Sequence, residues 1–300
     1  MRWGPALLLG TFSVFAPAAA ASADELERSF EVEPDVQVVI ELLAGNIELK
    51  AIDANELRVK AEGKLEIEAS EGRVSLRAPS AGWGPWSGGM HVELEVELPR
   101  QSRITARTGN GTIEAEGVEG ELVLRTANGK IEVKGAPREA FLETMNAAIE
   151  FEGRQSEVVA RTLNGGIELE GVTGDVEAST LSGAIKVEGD AIEHAELRTM
   201  SGGIELDASL AEDARVQAKT YSGQVKLTLP EDTSARFDVQ SFSGGLQSDF
   251  SARLDDENGG AGGGWHGGPG RRLSFVIGDG NARISIESFS GGVKIERGGR

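Results

Sequence analysis

The sequence has no cysteine, which excludes disulfides, thiolate metal sites and cysteine nucleophiles, so stability has to come from packing alone. Histidine is nearly absent as well. His91, His194 and His266 are scattered, and none has a second histidine at metal-ligand spacing. Positive charge is short: 49 Asp and Glu against 30 Lys and Arg give a net charge of −19, a surface that disfavours nucleic acid and anionic lipid and favours solubility. No apolar run is long enough to cross a bilayer. The Gly-Gly-x-Gly-x-Asp turns of calcium-binding β-rolls do not occur either.

What is present is one phrase, repeated. Thr126-Ala127-Asn128-Gly129-Lys130-Ile131-Glu132-Val133 recurs as Thr144 to Phe151, Thr162 to Leu169 and Thr180 to Val187. Its Asn or Ser, here called the turn residue, falls at 110, 128, 146, 164, 182, 201, 222, 243 and 290; four intervals of 18 are followed by 19, 21, 21 and 47. Six, four and two residues before it stand apolar side chains or Thr, such as Leu122, Leu124 and Thr126. Three and five residues after it stand apolar ones, such as Ile131 and Val133. Both runs alternate with period two, the mark of half-buried strands. Each unit is strand, tight turn, strand, with a second turn near Gly117, Gly135, Gly153, Gly171 and Gly189. A unit this small cannot offset the entropy of ordering it, so units must stack.

Two stackings fit the phrase. Asn-Gly between alternating strands is a hairpin signal, and a meander would place Thr126 opposite Ile131. The second is an all-β solenoid of 18–21-residue coils, one elongated domain in which each residue lies beside its copy in the next coil. Uninterrupted spacing and like residues in columns favour the solenoid. Against it, Glu114, Glu132, Glu150 and Glu168 stack like charges, a tension that Lys186 and Lys226 relieve only further along.

Residues 1–23 read as a secretory signal, with Arg2 as the only charge, a short apolar core from Ala6 to Ala16 and the small-residue site Ala21-Ser22-Ala23. The solenoid domain is then expected over 24–300, in a protein exported to the periplasm or cell surface, with no integral membrane span. Residues 30–99 form its entry, with a degenerate first copy at Ala44-Gly45-Asn46-Ile47-Glu48-Leu49 and short flanking strands. Loops are expected at 79–90, with Trp83 and Trp86, and at 255–271, with Trp265. Two coils plus the latter insertion fill the interval from Ser243 to Ser290.

At this point the residues resemble a known family. The exported segment, the degenerate first copy, the strand ending Leu98-Pro99, and the run from Thr108-Gly109-Asn110-Gly111-Thr112-Ile113 through Thr220-Tyr221-Ser222-Gly223-Gln224-Val225 are similar to the bacterial putative-adhesin family of β-strand-repeat envelope proteins, of the head-GIN type, whose domain has no assigned function. The resemblance spans most of 30–296. It implies a β-helical fold, a place at or outside the envelope, and no established catalytic residues or cofactor.

Three surfaces are candidates for function. The Glu columns offer carboxylates to Ca²⁺, although such charge runs are usually a solvated face. An outward strip of Val123, Phe141 and Val159, flanked by Arg107, Arg125 and Arg161, suits a cell-wall glycan or another envelope protein, or else is covered by a loop such as the Trp83 segment. Trp83, Trp86 and Trp265 on their Gly-rich loops suit stacking on sugars or capping of an open coil. The expected role is structural or adhesive binding without catalysis. The alternatives are a polysaccharide-active enzyme and an envelope-stress accessory that binds a peptide or protein by strand addition.

Overall fold

The computed structural model describes residues 25–70, 72–78, 91–154, 157–250, 253–254 and 271–298. The expected signal segment and loops at 79–90 and 255–270, with Trp83, Trp86 and Trp265, lie outside the described residues.

Coil lies on coil. Ile131 pairs in parallel with both Ile113 and Ile149, and Asn128 with Asn110, so the hairpin stacking is not the one adopted. Each coil contributes a long strand to one wall and a shorter one to the other, as in Glu121–Asn128 followed by Ile131–Lys134. The walls enclose a single core. Its rows are the predicted columns: Leu122, Ala140, Val158 and Val176 on the long wall and Ile131, Ile149, Ile167 and Ile185 on the short one are all at most 3% exposed. Parallel strands joined coil to coil need no crossover helix, because the opposite wall supplies the return path.

Threonine recurs two residues before the turn because the position is buried yet faces a carbonyl. Thr126, Thr144, Thr162 and Thr180 donate from Oγ1 to the oxygens of Gly111, Gly129, Ala147 and Gly165 in the preceding coil, at 3.0–3.1 Å. Each hydroxyl fastens one coil to the last. Outside, Asn128, Asn146 and Asn164 donate from Nδ2 to the Oδ1 of the previous Asn at 2.8–2.9 Å, an amide ladder of the kind that stabilises stacked identical strands. The longer coils keep register by putting their extra residues at the second turn, where shifts fall between Gly189 and His194.

The ends depart from sequential stacking. The degenerate copy, Gln37–Leu42 with Ile47–Ile52, is not the outermost coil: Arg73–Arg77 and Glu93–Pro99 lie outside it, and Arg103–Asn110 lies inside. The far end mirrors this. Ser222 pairs with Ser290 rather than lying against Ser243, and Ala235–Ser241 packs outside Ala282–Ser290. The interval from 243 to 290 also differs from the expected two coils. Among the described residues it holds the short Leu246–Ser248, the antiparallel pair of Arg253–Leu254 with Arg271–Ile277, and the final coil; the strand starts at Arg271, inside the expected loop. Antiparallel strands close the first end on both walls and the far end on its long wall. Glu25–Glu31 pairs with Glu56–Glu62, and Glu66–Ser70 with Arg73–Arg77, so charged segments flank the stack where an open parallel edge would recruit other strands.

Candidate functional site: the outer walls

Among the described residues the buried polar side chains are Ser and Thr alone, and the charged side chains stand in the outward columns. The acidic one lies on the short wall, four residues after the turn residue, where Glu114, Glu132, Glu150 and Glu168 follow one another in register. Relief comes earlier than the sequence reading expects. Lys130 bridges Glu132 at 2.8 Å and Glu150 at 2.7 Å, and Lys134 reaches Glu132 at 2.7 Å. Lys186 then binds Glu168 at 2.8 Å and Glu188 at 3.0 Å, and Lys226 binds Glu205 at 2.6 Å. Hydrogen bonds from Lys130 and then Lys134 hold the Glu132 carboxyl down at about 2, and Lys186 lowers that of Glu168. Among the described residues no group of three or more His, Asp and Glu is disposed to hold a metal ion.

A pH dependence follows. Glu132 titrates below its ordinary 4.5, so the folded state binds fewer protons than the unfolded one, and its contribution is present above about 4.5 and lost as pH falls toward about 2. The melting temperature of the wild type is expected to drop more steeply over that window than that of Lys130→Met; parallel acid-melting curves would refute the coupling.

The Val123, Phe141 and Val159 strip is contiguous on the long wall, each a direct register partner of the next and half-buried. Two guanidinium groups account for part of that cover. Arg125 and Arg161 lie 4.9 and 5.6 Å from the Phe141 ring centroid, while their charges are taken up by Glu143 at 3.2 Å and Glu177 at 2.7 Å. Arg107 stacks in the same column as Arg125 and is exposed. The sequence-predicted patch is thus assembled, but narrow and with much of its charge internally balanced.

Among the described residues a long apolar row runs along the outer face of the long wall, and sequence reasoning missed it. One residue before the turn the side chain points outward, yet the stack reads Met145, Leu163, Leu181, Met200, Tyr221, Phe289 and Phe242, between 43% and 54% exposed. The aromatic end is ordered. Tyr221 stacks on Phe289 at 4.6 Å and Phe289 on Phe242 at 4.7 Å, all within 5° of coplanar. With adjacent strands about 4.8 Å apart, seven rungs run for roughly 29 Å. At the strand starts on the same wall, a groove of about 740 Å³ is lined by Glu157, Asp175, Glu177 and Glu196 toward one end and Arg215, Arg236 and Arg283 toward the other. His194, which also lines it, lies 3.0 Å from Asp175.

These walls and their packed interior define a two-walled parallel β-solenoid whose surface is a set of ladders. The chain belongs to the Toastrack DUF4097 family, whose model matches residues 30–296. No curated protein matches the chain. Among solved structures it is similar to a "putative cell adhesion protein" of Clostridium sporogenes, 10% identical, covering 91% of this chain and 100% of that one at a TM-score of 0.25. It is also similar to a "putative adhesin" of Bacteroides fragilis, 10% identical, with 91% and 98% covered and a TM-score of 0.29. A "putative lipid binding protein" of Parabacteroides distasonis is 12% identical, with 92% and 98% covered and a TM-score of 0.34.

Proposed function

We propose that this protein is an exported, non-catalytic binding protein of the cell envelope, which engages a protein or cell-wall glycan along the outer face of its long wall. The observation that carries the reading is the apolar row from Met145 to Phe242. Seven large side chains about half exposed, each showing on the order of 100 Å², make some 700 Å², more than the few hundred Å² that monomers usually leave open without a partner. The leader-like residues 1–23 support export, and among the described residues no helix is long and apolar enough to cross a membrane.

Chemistry argues in the same direction. Glycoside hydrolysis needs a carboxylic acid kept protonated near neutral pH. Among the described residues the shifted carboxylates, Asp53, Glu56, Glu95, Glu132, Glu168 and Glu296, are all moved the other way by Lys or Arg neighbours.

The reading is tested by pull-down of cell-wall and envelope fractions with the protein spanning 25–300. Leu181→Glu, which puts a charge in the middle of the row without touching the core, is expected to abolish capture at unchanged circular dichroism and melting temperature. Phe141→Ser reports separately on the guanidinium-flanked strip. Capture that survives both substitutions overturns the assignment to this wall.

A further inference from the structure

Two columns of the long wall change character at the same coil. In the apolar row, Met145, Leu163 and Leu181 are aliphatic or thioether, Tyr221, Phe289 and Phe242 are aromatic, and Met200 lies between. Six residues earlier on each strand, in the same stacking order, stand Glu139, Glu157 and Asp175, then His194, then Arg215, Arg283 and Arg236, all exposed. Met200 and His194 belong to one strand, Ile185–Ser201. Size is antisymmetric about that strand in one column, and charge is antisymmetric about it in the other.

We propose that the partner of this wall is a second copy of the chain, packed face to face with its stacking order reversed about a two-fold axis running along residues 194–201. The proposal rests on the reading of the long wall as a binding surface and names what binds there. Such an axis keeps each column opposite itself and inverts the order of coils. Phe242 then faces Met145, Phe289 faces Leu163 and Tyr221 faces Leu181, so a large side chain meets a smaller one at every rung except the central one, where Met200 meets its own copy, and the outermost pair is a thioether against an aromatic ring. At the strand starts Glu139 faces Arg236, Glu157 faces Arg283 and Asp175 faces Arg215. Between the two columns, Arg161 comes opposite Glu287. Arg198 meets its own copy on the axis, where each guanidinium is already paired with Glu196 of its own chain. A dimer with parallel stacking order would instead set acidic coils beside acidic coils and leave the aromatic end facing itself or the charged column.

Spacing selects the same occupant. Rungs repeat every 4.8 Å or so along the wall, whereas a helix repeats every 5.4 Å and an extended peptide presents a side chain to one face about every 6.6 Å, so either would drift out of step along the row. Another stack of the same coils stays in step from end to end. The area is adequate too, since the row offers about 700 Å² per copy against roughly 800 Å² per partner in a stable complex, before the charged column is counted.

The experiment is sedimentation of the protein spanning 25–300 over low to high micromolar concentration, followed by single substitutions. The wild type is expected to be a dimer and Leu181→Glu a folded monomer. Asp175→Arg and Arg215→Asp are each expected to weaken dimerisation at least about tenfold, and the two combined in one chain are expected to restore it, because the facing charges are then swapped together. The cysteine-free background allows a geometric check. Met200→Cys should crosslink to itself through a short bis-maleimide, and Met145→Cys should crosslink only when mixed with Phe242→Cys. A monomer at every concentration, a dimer indifferent to Leu181→Glu, or self-crosslinking of Met145→Cys overturns the proposal. So does a monomer that floats with phosphatidylcholine vesicles and ceases to do so as Leu181→Glu, which assigns the row to lipid. A monomeric wild type whose capture of envelope material is lost in Leu181→Glu ends this proposal and leaves the proposed function standing; if neither property responds, both fail.

Discussion

Gly165→Val is expected to lower stability by more than about 3 kcal/mol, read as a large fall in melting temperature with loss of the parallel-sheet signal around the affected coil. A Cβ at Gly165 would lie 1.8 Å from the carbonyl oxygen and 2.4 Å from the carbonyl carbon of Ala147. Both are backbone atoms, so no side chain can rotate out of the way. The same collision recurs at Gly129 against Gly111, at Gly202 against Gly183 and at Gly291 against Gly223, each with 1.9 Å to the oxygen. The coils approach this closely because the turn directly follows a parallel strand whose ladder continues through the turn, with Gly165 N donating to Ser182 O at 3.0 Å. The chain holds its own control. At the equivalent position of one coil stands Ala147, and the long strand of that coil, Glu139–Thr144, stops two residues short of the turn residue, whereas Glu121–Asn128 and Glu157–Asn164 on either side run up to it. One methyl is accommodated there by a change in the ladder, with Asn146 N donating to Ala127 O at 3.0 Å and Asn164 N to Met145 O at 2.8 Å. A Gly165→Ala variant should therefore fold with a modest loss, and Gly165→Val, whose branched side chain also restricts the backbone, should not escape by the same adjustment. Equal melting temperatures for Gly165→Val and wild type would show that the coils are not in this contact.

That close approach explains why so much of the interior was legible from sequence. A solenoid repeats its packing environment at a fixed interval, so Thr126, Thr144, Thr162 and Thr180 answer to the same carbonyl neighbour, and Ile131, Ile149, Ile167 and Ile185 to the same opposite wall. A column of like residues is the direct imprint of that environment. The ends carry no such imprint. Parity fixes which face of Ala235–Ser241 is buried, but it is indifferent to whether Ser222 is followed by Ser243 or Ser290, because both bring Ser at the turn and apolar residues six and four before it and three after it. Only the three-dimensional order of the coils separates them. The apolar row was legible and was passed over. Met145, Leu163, Leu181, Met200 and Tyr221 stand at outward parity in consecutive copies, and a hydrophobic residue kept at an outward position through five coils has no packing reason inside the chain. Lys130 escaped for a different reason: it lies two residues from the turn, and only its long side chain carries it to the Glu132 and Glu150 carboxylates.

The reversed order at the far end leads to an asymmetric result on shortening the chain. Removing the 19 residues from Ala282 to Arg300 is expected to damage the fold more than removing the 51 residues from Glu231 to Asn281. The shorter cut takes out an internal layer. Ala282–Ser290 lies between the strand ending at Ser222 and Ala235–Ser241, and Val293–Gly298 lies between Val225–Pro230 and Leu246–Ser248. Its loss strips Ile284, Ile286, Val293 and Ile295 from the core, each worth about 1.5–3 kcal/mol of burial, and leaves the outer coil without the surface it was built on. The longer cut takes only what lies outside. Pro230 pairs with Gly298, so the chain leaving the short wall at Pro230 is one coil below the point where Ala282 enters the long wall. Joining the two through a single glycine restores an 18-residue interval between Ser222 and Ser290, the spacing of the regular coils. Nearest-neighbour stacking then predicts a cooperative, all-β protein with a newly exposed edge, whereas the 19-residue truncation should melt earlier and lose amide protection back into the coil of residues 204–222. Hydrogen exchange and thermal melting of the two variants decide it. If the truncated chain is the more stable of the pair, Ser222 and Ser290 are not neighbours, and the coils follow one another in sequence order to the end.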